Sequence, residues 1–167
     1  MTSMCRTACA LVTAVLLTLT GAVLTAVPAH ASGNCSDNDK ELSTPGYNTH
    51  LYVKVCATEG TSRHHGAYLV VSWRNGGDSA ADGDRKFDGL RVHLRVERYD
   101  HDYVKDSWSV AGLVNRHESG VWTSPILEVA STKRGGWTGD GYVKYNIDRD
   151  GKGYLNAWSL HGSPMKY

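Results

Sequence analysis

The chain has 167 residues, with 18 Lys and Arg against 17 Asp and Glu and a formal net charge of +1. A chain so close to neutral has no global field to draw in nucleic acid or an anionic membrane, so neither is expected as a partner. Its length suits one domain of ordinary size, able to bury roughly two-thirds of its unfolded surface.

Residues 1–31 read as a secretory signal peptide. Arg6 is the sole charge before Asp37, Leu11 to Val27 is apolar with small residues and threonines, and Pro28 precedes Ala29-His30-Ala31. A charged start, an apolar run and a small-x-small site predict cleavage between Ala31 and Ser32. A membrane anchor usually needs about 20 apolar residues, more than this run supplies. The expectation is a secreted, extracellular and monomeric protein with no membrane attachment after processing. Cys5 and Cys9 leave with the leader, so Cys35 and Cys56 remain. An even pair in an exported chain reads as a disulfide, and a loop of about 20 residues contributes roughly 3 kcal/mol in the chain-entropy description.

Residues 32–49 are polar and rich in Asn, Asp, Ser, Gly and Pro, which predicts a loop tied down by that disulfide. A first strand is expected over 50–57, where Leu51, Val53 and Val55 alternate with polar residues. A second, over 67–74, is apolar on both faces and so reads as a covered, central strand. The connection 75–86 carries Asp78, Asp82 and Asp84. The clearest alternation follows: Leu90, Val92, Leu94 and Val96 interleave with Arg91, His93, Arg95 and Glu97. A period of two sends one face of a strand over 89–99 to the core and the other to solvent or a ligand.

Asp100-His101-Asp102 predicts a tight turn into a partner strand over 103–110, and 112–120 reads as irregular. A strand over 121–129 is interrupted at Pro125, hence an edge or a kink. Residues 131–141 read as a Gly- and Trp-bearing loop. Val143, Tyr145 and Ile147 then alternate, Asp148 to Gly153 supplies turn chemistry, and Tyr154 to Leu160 completes a hairpin. About seven strands and no convincing helix make an antiparallel β-sandwich the expected fold of a single domain over 50–167, immunoglobulin-like by analogy only. A small β-barrel is the alternative.

Chemistry is thinly signposted. Asn146, Asp148 and Asp150 with Gly151 resemble the first half of an EF-hand calcium loop, but position 12 would be Ala157 and no helices flank it. A hairpin turn is the expected role, with weak calcium binding as the alternative; no other cofactor is expected. Asp78, Asp82, Asp84 and Asp88 form a second acidic stretch, offset by Arg85 and Lys86. The histidines are scattered, and adjacent His64 and His65 point opposite ways on an extended chain. No Gly-x-Ser-x-Gly, free cysteine or phosphate loop is found, and nothing selects Glu118 and Glu128 as an acid and base pair.

What remains is aromatic: five Trp and nine Tyr accompany a single Phe. Trp122, Trp137, Tyr47 and Tyr142 lie beside Gly or Pro in or near expected loops, and such rings suit sugars and protein partners alike. The sequence therefore points to a secreted, non-catalytic binding module presenting Trp122, Trp137 and Tyr142 to a polysaccharide or an extracellular protein. A secreted inhibitor or structural protein, and a hydrolase with an unrecognised site, are the alternatives.

Overall fold

A computed structural model describes residues 34–58, 63–76 and 84–165. The expected leader, and Asp78 and Asp82 of the acidic stretch, lie outside the described residues. The chain is all-β, with strands β1 (Cys35–Leu42), β2 (Thr49–Ala57), β3 (His64–Asn75), β4 (Phe87–Arg98) and β5 (His101–Ser109). One helical turn, α1 (Ala111–Val114), precedes β6 (Ser119–Thr123), β7 (Leu127–Ala130), β8 (Trp137–Ile147), β9 (Trp158–Ser159) and β10 (Ser163–Pro164).

These strands form two antiparallel sheets. The first runs β1-β2-β3, with β6 and β7 both pairing β3; the second runs β10-β8-β4-β5, with β9 also on β8. Two separate sheets correct the barrel alternative, because the strands do not close into one ring. Inward side chains of both sheets, among them Leu51, Val55, Leu69, Leu90, Val92, Leu94, Val96 and Val143, join in one buried cluster. The layers approach most closely at small residues. A Cβ placed on Gly139 of β8 would stand 2.6 Å from the Ala67 Cβ of β3.

Within the polar N-terminal segment 43–48 is irregular but Cys35–Leu42 is a strand, which corrects the loop expected over that part. Its register with β2 sets Cys35 opposite Cys56, and the two are bonded. Asn38 and Leu42 are its buried side chains, so an edge strand wet along one face carries little apolar signal. Asn38 also holds the C-terminal segment: its Oδ1 accepts the His161 N–H and its Nδ2 donates to the Val53 carbonyl.

Pro125 divides the expected fifth strand into β6 and β7. Between them the Ser124 N–H bonds the Leu69 carbonyl, while the Ser124 hydroxyl accepts from the Leu69 N–H. The last hairpin is shorter than expected. Its turn forms, with Arg149 and Gly151 at positive φ, but within the expected return over 154–160 the strand pairing with β8 is confined to Trp158 and Ser159 of β9.

Candidate functional site

The site is set by the alternation in β4. Leu90, Val92, Leu94 and Val96 are at most 1% exposed. Arg91, His93 and Arg95 therefore stand on the outer face of the second sheet. The β4–β5 and β4–β8 registers turn these into cross-strand rows: Ser109–Arg91–Lys144, then Ser107–His93–Tyr142 extended by Ser159 of β9, then Lys105–Arg95–Asp140. Beyond Val96 the register shifts, so that Glu97 pairs Asp102 and Thr138 and Tyr103 is left as an extra residue on β5.

Arg95 is the hub. Its guanidinium donates to Asp140 Oδ2 through Nε at 3.1 Å and through a second, closer nitrogen contact. The same Nε lies 3.0 Å from Glu97 Oε2 and 3.7 Å from Asp102 Oδ1, and Asp102 is also faced by Lys105. The bond to Asp140 raises the Arg95 pKa, with the Asp140, Glu97 and Asp102 charges adding to it against burial. Burial raises the Glu97 carboxyl despite Arg95, helped by the negative charges of Asp140 and Asp102. The His93 imidazole stacks on Tyr142 with centroids 4.2 Å apart and planes 15° apart. Its pKa is lowered, first by burial and then by Lys144 and Arg91. The neutral ring is thus the form the fold favours.

Two depressions lie on this face, of about 510 and 420 Å³. Both include Arg95, Gly141 and Tyr142 in their walls, so these residues form the divide between them. Lys105, Asp102 and Asp106 stand on one side, and Lys144, Asp140 and Ser159 on the other. Gly141 has no room for a side chain, since a Cβ there would stand 2.3 Å from the His93 carbonyl oxygen. Together the walls carry three cations and three carboxylates, an elongated polar surface without excess charge.

The structure does not bring the three expected aromatics together. Tyr142 is on the face just described. Trp122 is half-buried on β6 of the other sheet, 5.9 Å from Trp108. Trp137 opens β8 instead of lying in a loop, and it is 1% exposed. Its ring is flanked by His65 at 4.3 Å and Tyr103 at 4.7 Å, and its Nε1–H bonds the Lys133 carbonyl. That placement corrects the expectation of Trp137 as a presented ring, because it fastens the 131–136 segment from inside.

The acidic turn is likewise engaged within the chain. Asp148 is 8% exposed, with Arg85 Nε at 3.7 Å and Arg149 Nε at 3.4 Å, and Asp150 Oδ1 accepts the Lys152 N–H. Asn146 pairs with Gly89 on β4. Among the described residues no group of three or more His, Cys, Asp or Glu side chains is gathered as a ligand set. Asp84 and Asp88 face Arg149 and Arg85. The face residues the sequence left unassigned are His93, Arg95, Lys105, Asp140 and Lys144. The polar half of the 89–99 alternation marks the first two, while the others need the pairing of β4 with β5 and β8.

The chain matches no protein-family model and has no significant match among curated proteins.

Proposed function

We propose that this is an exported, non-catalytic binding module, a β-sandwich whose outward β5–β4–β8 face takes a neutral polysaccharide. The observation that carries the reading is the pair of depressions sharing Arg95 and Tyr142, a track suited to an extended chain. The Tyr142 ring, stacked on His93 with Lys144 Nζ 5.8 Å from its centroid, sets apolar surface for a sugar ring beside polar partners for its hydroxyls. Arg95, Asp140 and their neighbours supply planar donors and acceptors whose charges cancel, which favours a hydroxyl-rich ligand over a charged one. Export is supported by the leader pattern and by the disulfide, which fits an oxidising compartment.

Binding is preferred to hydrolysis because of where Glu97 points. Its carboxyl group is raised by burial, as suits a general acid, yet it faces Arg95 and Thr138 and lines neither depression. Retention on insoluble cellulose, chitin and peptidoglycan tests the proposal, with soluble neutral glucans followed by calorimetry. Tyr142→Ala is expected to weaken retention about tenfold, equivalent to about 1.4 kcal/mol, with an unchanged melting temperature. Equal retention of wild type and variant, or inhibition of a protease with no retention on any glycan, refutes it.

A further inference from the structure

A second surface, at the end of the molecule beside the β4–β5 turn, has its own chemistry. Arg98 pairs with His101 across a two-residue turn, Tyr99-Asp100, in which both residues have positive φ, 49° and 60°. Such a turn ordinarily takes Asn-Gly or Asp-Gly, because a side chain is strained there. A tyrosine in this conformation is an outlier, and strain of this kind gathers at functional positions. The ring is also 68% exposed, so no core contact accounts for it.

The strained ring is held in a built platform. It lies against Gly136, itself at φ 73°, where a Cβ would stand 2.3 Å from Tyr99 Cε1. The Arg98 guanidinium sits 4.6 Å from the Tyr99 centroid and is fixed by bonds from Nε to the Gly135 carbonyl and from a terminal nitrogen to the Arg134 carbonyl. Lys133 is placed the same way, with Nζ 5.6 Å from the Tyr103 centroid and donating to its hydroxyl at 3.1 Å. Exposed Arg134 adjoins them, its carbonyl accepting from Arg98. Asp100 and Glu128 stand near this end, and Glu97 and Asp102 beside the turn are already matched by Arg95 and Lys105. Among the described residues Arg98, Lys133 and Arg134 are engaged by no carboxylate, so they remain available to an anionic ligand.

We propose that this end, built on Tyr99, Tyr103, Arg98, Lys133 and Arg134, binds an acidic polysaccharide carrying carboxylates along its chain. The rings offer apolar surface to sugar rings, while Arg98, held by Tyr99 and two backbone carbonyls, Lys133, held by Tyr103, and the exposed Arg134 take the carboxylates. An anionic bilayer is the poorer fit, since the exposed large apolar side chains of the platform itself, Tyr99 and Tyr103, are tyrosines, with no aliphatic group among them to enter the acyl region. Duplex DNA, at one charge per roughly 1.7 Å, calls for a larger basic field than these few cations provide.

The probe is soluble polygalacturonate, run by affinity electrophoresis and calorimetry beside anionic phosphatidylserine vesicles and duplex DNA. Wild type is expected to bind polygalacturonate best, with affinity falling as salt rises from about 50 to about 300 mM, as ion pairs to a polyanion require. The Lys133→Glu/Arg134→Glu double variant is expected to lose at least about tenfold. Tyr99→Asn separates binding from folding: relieving the positive-φ strain should hold or raise the melting temperature while affinity falls. Undiminished binding by both variants, no salt-sensitive binding by wild type, or tighter binding to vesicles or DNA overturns the proposal.

Discussion

At the scale of single residues, buried polar groups such as Asn75 are tied to specific partners, and their removal should be expensive. Asn75 is 8% exposed; its Oδ1 accepts from Thr49 Oγ1 at 2.8 Å and its Nδ2 donates to the Val114 carbonyl at 3.1 Å. Asn75→Ala removes both of these bonds from a buried site and is expected to cost about 2–3 kcal/mol in urea denaturation. Arg95→Ala strands Glu97 and Asp140, but the Arg95 side chain is 37% exposed, so solvent screening should hold the loss to about 1–2 kcal/mol. His93 and His65 both have folded pKa values lowered from 6.5, chiefly by burial. The unfolded chain therefore binds more protons below 6.5. Their contribution is present above that pH and is lost as pH falls toward the folded values. Urea midpoints should rise with pH toward 6.5, and His93→Gln should flatten that rise. Glu97 runs the other way: its carboxyl is raised above 4.5, so the stability it gives is present at lower pH and is lost as pH climbs past 4.5.

At the scale of strands, legibility followed how much apolar contrast each element carries. The β4 alternation was legible because one face meets the core and the other does not, and β3 read as central because β2, β6 and β7 all pair with it. β1 escaped notice because two inward residues are too few to set a period. Trp137 escaped because Gly135-Gly136 before it looked like loop, whereas their positive φ values turn the chain into β8. The disulfide across β1 and β2 should contribute about 3 kcal/mol, so Cys35→Ser/Cys56→Ser is expected to melt several degrees lower. An equal melting temperature would show that β1 is held by its other bonds alone. The sheet contact offers a sharper check. Gly139→Val forces a side chain against Ala67 and should destabilise by about 1–3 kcal/mol or more.

At the scale of the whole molecule, the site was legible only in part, because it is made of pairing between distant segments. Arg95 and Asp140 are 45 positions apart, and no local spacing joins them. Aromatic content led the sequence reading toward binding, but two of the three expected rings are engaged in packing, and the face proposed for the ligand is the polar one of β4 with β5 and β8. Loading of that face is the central claim, and residue-resolved NMR tests it most directly. Titration with a neutral oligosaccharide retained in the binding screen should shift the amides of Arg95, Lys105, Gly141, Tyr142 and Lys144. Shifts confined to the opposite sheet, around Tyr52, Ser72 and Val121, or around Trp122, would contradict it.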